Sequence, residues 1–223
     1  MFGNKYRHYR LLNNSKGFSL IELAIVLIII GIIIGAIVKG KDIIRGSEQK
    51  KIYTKFIASW QIAYATFYDR TGKILGDQSV GAAAGQDGQA DTSNGASSAP
   101  TAAGQANLND GPDSGSAFMG LQQVGISAPS SNLSNNYQYN YVDSAGGSHT
   151  LDVAFDFDAA ANYNYMVIHN LPAELGIALD TMVDGSADGQ AGDFLCYDDA
   201  TDATNSAWGA AATEFAGRWK MQF

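Results

Sequence analysis

The chain has a single cysteine in 223 residues, Cys196, so no disulfide can form within it and any globular part must be stable without that staple. Cys196 lies in the apolar run Phe194-Leu195-Cys196-Tyr197 and reads as a small buried hydrophobe rather than a nucleophile. Cations are missing over an even longer stretch: Ile74 to Gly217 contains no Lys or Arg against eighteen Asp and Glu. Such a surface repels nucleic acid and anionic lipid, which leaves two readings, a solvated, salt-adapted exterior or a cation-binding one. Also absent are a nucleophile beside a base, a complete metal-ligand set and a phosphate-binding glycine motif, so enzymatic activity is not expected. His149 and His169 fall at the ends of predicted strands with no matching ligand cluster.

What the chain does have is one long apolar run, Gly17 to Val38, reading GFSLIELAIVLIIIGIIIGAIV and interrupted by a single carboxylate, Glu22. As a helix rising about 1.5 Å per residue it is roughly 30 Å long, the thickness of a bilayer's hydrocarbon core. A cleaved secretory signal, a plain anchor, and a segment that passes from membrane to protein assembly all fit that length. Glu22 separates them, because a charge in hydrocarbon costs at least ~2.5 kcal/mol and marks a functional position that a plain anchor does not keep. A secretory signal has a shorter apolar core followed by small residues, whereas here the small residue, Gly17, comes first. Residues 1–17 (MFGNKYRHYRLLNNSKG) are polar and basic, with four cations and no acids, so the chain from Phe18 onward carries -12 rather than -8. They read as a leader held on the cytoplasmic side.

Lys16-Gly17-Phe18-Ser19-Leu20-Ile21-Glu22-Leu23 resembles the processing site of type IV prepilins and of their relatives, the type II secretion pseudopilins. The resemblance implies that a membrane prepilin peptidase cuts after Gly17 and that Phe18 becomes the methylated first residue. It also implies that Glu22 pairs with the new amine of a neighbouring subunit, setting the axial register in an apolar filament core. A local reading of Glu22 stands beside it, in which the carboxylate favours the positive helix N-terminus and snorkels to the lipid surface. Gly31 sits where family members usually have glycine, while Lys39 stands where many type IVa pilins have a proline.

Beyond Val38, residues Ile43, Ile44, Tyr53, Phe56, Ile57, Trp60, Ala63, Tyr64 and Phe67 recur at helical spacing, so the helix continues as an amphipathic one. Gly40 and Gly46 are the expected points of bending, and Arg70-Thr71-Gly72 the expected stop. Tyr53, Trp60, Tyr64 and Tyr68 are expected to form the seam between helix and head. Residues 78–113 are rich in Gly, Ala, Ser, Asn, Asp and Gln and predict a mobile loop in which Asp87, Asp91 and Asp110 are solvated. A short helix is predicted over 114–124, ended by Gly125. Alternating apolar residues predict strands over 136–142, 149–157 and 163–169, joined as an antiparallel meander. Asn170 is expected to cap a helix running from Pro172 to about Val183, and Trp208 to Phe223 to form a closing strand or packed tail. The expected fold is α+β and pilin-like: leader 1–17; a long helix 18–70, membrane-spanning over 18–38; and an acidic head 71–223 built on a small antiparallel sheet.

Two head segments extend the resemblance to a large group of prepilin-like proteins. Thr66 to Asp77 (TFYDRTGKILGD) matches a Tyr-rich helix end followed by Pro-Gly-Asp, with Leu75 replacing the proline, and Asp180, Asp184-Gly185 and Gly192 match an Asp, Asp-Gly and Gly series, with Val183 replacing an Asp. The same loop reads Asp184-x-Ser186-x-Asp188-Gly189, positions 1, 3, 5 and 6 of a calcium loop, with Leu195 where the bidentate Glu belongs. Asp193, or Asp198, Asp199 and Asp202, would have to complete such a site. An ordinary Asx/Gly turn fits the same residues.

No cofactor is required by this reading, and calcium is a possible one. The expected role is that of a pilin, major or minor, inserted in the inner membrane and then extracted into an extracellular or periplasmic filament. Its partners would be copies of itself, other pilin subunits, the prepilin peptidase and an assembly-platform membrane protein, with no nucleic acid. The alternatives are a type II secretion pseudopilin and a monomeric membrane-anchored module that binds calcium or another ligand.

Overall fold

The computed structural model describes residues 17–77, 88–90, 108–109, 120–198, 207–209 and 215–223. Residues 1–16 of the expected leader, most of the loop expected over 78–113, and Asp87, Asp91, Asp110, Asp199 and Asp202 lie outside the described residues. The chain divides into two compact units, residues 1–46 and 47–223.

In the first unit a helix, α1 (Leu20–Ile52), begins at once and continues past the unit's end. Its Ile and Val side chains lower helix propensity in water, but in hydrocarbon a helix satisfies every backbone group internally. From Leu20 to Val38 all side chains are exposed. The helix runs through Gly40 and Gly46, where bending was expected, and the departure from α geometry comes later, as a π-helical turn at Tyr53–Ile57.

In the second unit the end of α1, the π turn and α2 (Ala58–Thr71) bury one side. α2 stops where Gly72 takes the left-handed conformation (φ 67°) and its N–H bonds the Tyr68 carbonyl at 2.7 Å. Leu121–Val124 forms a 3-10 turn capped by Gly125, so the helix predicted there is one turn among the described residues. The five strands are β1 (Gln138–Val142), β2 (Ser148–Asp158), β3 (Tyr163–Leu171), β4 (Phe194–Asp198) and β5 (Phe215–Lys220), ordered β1-β2-β3-β5-β4 and antiparallel throughout. The chain's last strand therefore lies inside the sheet and not at its edge. Gly217 sits where a Cβ would come within 2.5 Å of the Phe194 ring and 2.9 Å of Leu171, so a larger residue would push both out of the core.

Between β3 and β4 lies α3 (Ala173–Asp184). Asn170 does not cap it: the cap position is Pro172, with no side-chain bond. Asn170 is left-handed (φ 55°) at the register shift between Ile168 and Leu171, and its amide donates to the Thr150 carbonyl at 3.0 Å and to Asp152 at 3.2 Å. The short polar side chain is spent on a bulge, which tolerates positive φ, rather than on the helix.

Helix and sheet meet in an aromatic seam, as the spacing implied. Phe155 of β2 lies between Trp60 and Tyr64, with centroids at 6.2 and 5.0 Å; Phe56 meets Tyr139 at 5.1 Å; Tyr53 stacks on Trp219 and Tyr68 on Phe223. The Trp60 indole N–H donates to the Asn136 carbonyl, so the ring is buried with its polar atom satisfied. On the opposite face Tyr165, Val167, Ala154 and Ala216 form a second cluster, where the Arg218 guanidinium lies 3.7 Å over Tyr197 and 4.6 Å over Tyr165.

Both outer strands have their edges occupied. Along β1, the Asn132 side chain receives the Asn140 N–H and donates to its carbonyl, each at 2.8 Å, and the Ser131 hydroxyl donates to the Gln138 carbonyl. Along β4, the Cys196 N–H donates to the Gly189 carbonyl at 2.7 Å. A strand from another molecule would have to displace these bonds before it could pair.

Phe155→Ala should cost about 3–5 kcal/mol, as a buried aromatic does when truncated, whereas exposed Val142→Ala should stay within about 0.5 kcal/mol. Urea unfolding of the detergent-solubilised full chain, followed by tryptophan fluorescence, measures both. In the β1–β2 hairpin, His149 and the Gly147 and Ala145 N–H groups hold the Asp143 carboxyl below its usual range. A depressed folded-state value stabilises above the unfolded pKa of about 3.9 and is lost as pH falls through the folded value. The stability gap between wild type and Asp143→Asn should therefore shrink as pH falls below about 4.

Candidate functional site

The residues expected at the processing site sit at the very start of α1. Gly17, Phe18 and Ser19 are non-helical and exposed, Phe18 to 83%. The Gly17–Phe18 peptide bond therefore lies on exposed, non-helical backbone just ahead of the helix. Ser19 is the cap. Its hydroxyl receives the Glu22 N–H at 3.3 Å, the Glu22 Oε2 receives the Ser19 N–H at 2.8 Å, and the Ser19 carbonyl receives the Leu23 N–H at 3.2 Å. This reciprocal pair is a capping box, in which two backbone donors that the helix cannot satisfy are bonded by side chains. The Ser-x-x-Glu spacing was legible in the sequence and is the signal that the sequence reading missed. In the isolated chain, Glu22 closes the end of its own helix.

The exposed apolar surface then runs on through fourteen Leu, Ile and Val side chains between Leu20 and Val38. At ~0.3–0.6 kcal/mol each on insertion scales they outweigh the ~2.5–3.5 kcal/mol cost of one charge, so the segment is apolar enough to enter a bilayer despite Glu22. Of the helical stretch Leu20–Thr71, the most apolar eighteen-residue window has none of its residues buried, and by length and composition the helix can cross a membrane. Gly31 and Gly35 fall within this surface. A Cβ at either would meet nothing within 4 Å, so packing in their own chain does not require glycine, although each costs a helix roughly 1 kcal/mol relative to Ala.

The second candidate, the loop after α3, is held together by its carboxylates. Asp184 receives the Phe194 N–H at 2.8 Å and the Asp193 N–H at 3.1 Å. Gly192 (φ 97°) passes so close that a Cβ there would lie 2.3 Å from the Asp184 carboxylate. Asp188 receives the Gln190 and Ala191 N–H groups at 2.9 and 2.8 Å, bonds which draw its carboxyl below the usual range, and Ser186 donates to it at 3.3 Å. Asp193 is exposed, and its backbone carbonyl joins Lys220 of β5. Asp180, one turn before Asp184, is fully buried and receives the Gly189 N–H at 2.8 Å and the Trp208 indole N–H at 2.7 Å. Burial pushes its carboxyl up against the pull of those two bonds, and Asp184 and Asp188 push in the same direction. Trp208 lies over Gly176, where a Cβ would come within 2.2 Å of its ring. The Asp, Asp-Gly and Gly series thus acts as a set of backbone clamps, each carboxylate taking N–H groups of the loop that folds over it. Among the described residues, no group of three or more His, Cys, Asp or Glu side chains is placed to hold a metal ion.

Comparison with known proteins bears on the first site. Residues 12–38 match the family described as prokaryotic N-terminal methylation motif. No curated protein and no solved structure matches the chain. The matched stretch covers Gly17, Phe18 and Glu22 and ends with the apolar run, so what is shared lies in the start of α1. The amino-terminal segment of this chain carries the prepilin-type methylation signature found in type IV pilins and pseudopilins.

Proposed function

We propose that the chain is a structural pilin subunit, inserted in the inner membrane, cut after Gly17 by a prepilin peptidase, and moved by an assembly platform into a filament with copies of itself and related subunits. The observation that carries this reading is an apolar helix surface left bare in its own unit and joined to a methylation-type N-terminus. A plain anchor would need the apolar side chains but neither the carboxylate nor the motif. In the filament, the amine created on Phe18 of one subunit neutralises Glu22 of another, four residues inward, where the carboxylate would otherwise be buried without a counter-charge. The capping box supports the membrane stage by satisfying the same helix end before a neighbour arrives.

Glu22→Gln separates the two roles, since glutamine also closes a capping box but carries no charge. The variant should insert in the membrane at wild-type level while its filament content, read by electron microscopy and immunoblotting of sheared surface material, falls at least about tenfold, the effect of losing ~1.4 kcal/mol. Filaments at wild-type yield would leave Glu22 as a local cap only.

For the Asp184 to Asp193 loop we propose an Asx/Gly turn held by backbone bonds, with no resident calcium. The support is that Asp184 and Asp188 already receive four backbone N–H groups between them, so both carboxylates serve the loop's own backbone. Saturating a native-state calcium site a hundredfold above its Kd adds ~2.7 kcal/mol, or roughly 5–10 °C in Tm for a domain of this size. Adding excess chelator or millimolar calcium to the solubilised protein should shift Tm by less than about 2 °C, and a rise in the larger range would establish the cation site.

A further inference from the structure

The two signs of charge occupy different parts of the chain. From Lys39 to Lys55 the helix carries six cations (Lys39, Lys41, Arg45, Lys50, Lys51, Lys55) and two acids (Asp42, Glu48), a net of four positive. The five lysines are exposed. Lys39 meets Asp42 one turn away at 3.8 Å with both side chains in solvent, a contact worth little. Beyond Ile74 the head has no cation until Arg218, and exposed carboxylates gather in the loop after α3 at Asp188 and Asp193. Lys220, whose ammonium bonds the Gly192 carbonyl at 2.7 Å, is the described cation that touches this loop.

We propose that the Lys50, Lys51 and Lys55 part of this basic band docks on the acidic head of a second copy of the chain, at the Asp188 and Asp193 loop. This rests on the filament reading and adds to it an electrostatic contact outside the apolar core. Lys39 to Lys55 spans about 24 Å of helix, and α2, which packs on the sheet, begins three residues later. Charge complementarity selects the partner: the head is an acidic surface that every copy supplies, and Lys220, the described cation on this loop, spends its ammonium on a backbone carbonyl there. Anionic lipid headgroups are the rival occupant, and distance disfavours them. Lys50 and Lys55 lie about 18 and 25 Å of helix beyond Val38, whereas the headgroup layer extends only about 5–8 Å past the hydrocarbon core.

Zero-length carbodiimide coupling joins an ammonium to a carboxylate only where they touch. Applied to membranes and sheared material containing the full-length protein, it should give a dimer-mass species whose peptides link Lys50, Lys51 or Lys55 to Asp188 or Asp193. The species should fall about tenfold at 1 M salt, where screening acts within ~3 Å. The triple variant Lys50→Glu, Lys51→Glu, Lys55→Glu should lose the linked species and most sheared filaments with membrane insertion and helical circular dichroism unchanged. Co-expression with an Asp193→Lys partner should restore both. Filaments present in the wild type without these links, or a triple variant that assembles at wild-type yield, would overturn the contact while leaving the filament reading intact. Links without any filaments would overturn the filament reading and leave the contact. Loss of the triple variant from the membrane, without any copy-to-copy link in wild type, would assign the band to lipid and overturn the proposal.

Discussion

An apolar helix surface with no cover in its own unit is the constraint on which the rest of this protein depends. From Leu20 to Val38 every side chain is exposed, and water is not a stable surrounding for such a surface. A bilayer can cover it, and in the proposed filament the equivalent helices of other copies do so. Glu22 is the one residue that neither cover accommodates on apolar grounds. Its bond to the Ser19 N–H ties the carboxylate to the helix end, where the dipole favours negative charge. The charge thus has a place at the end of its own helix.

The second unit closes its own core and covers the described edges of its sheet. Its core is an aromatic seam between one helix side and one sheet face, closed without a disulfide. The outer edges of β1 and β4 are occupied by Asn132, Ser131 and the Gly189 carbonyl, which removes the usual template for strand addition. The carboxylates of the last loop are turned toward backbone N–H groups, so the acidic composition has a structural use at Asp180, Asp184 and Asp188 as well as a solvated one.

Much of this was legible in the sequence because it follows from periodicity. The apolar run, the amphipathic continuation through Trp60 and Phe67, the glycine stop after Thr71 and the three-strand meander each depend on local spacing, and each is found. Features that depend on distant partners were not legible. The insertion of β5 between β3 and β4 joins residues at least 17 apart, and nothing local to Phe215–Lys220 marks it as an inner strand. Asn170 has the composition of a helix cap, but the register of β3 on β5 placed a bulge there first. Trp208 could not be assigned to Asp180 and Gly176 without the fold that brings them together. At the candidate site, the positions of Gly17, Phe18 and Glu22 were readable from motif and charge, while the Ser19–Glu22 capping box was present in the letters and overlooked.

The most direct measurement of the central claim is the mass of the N-terminal peptide of this protein recovered from membranes and from sheared surface material. The account predicts a chain that begins at Phe18, with one methyl group on its amine, and that is enriched in the sheared fraction. A chain that retains residues 1–17 in both fractions, or one cut at a different bond, would contradict it.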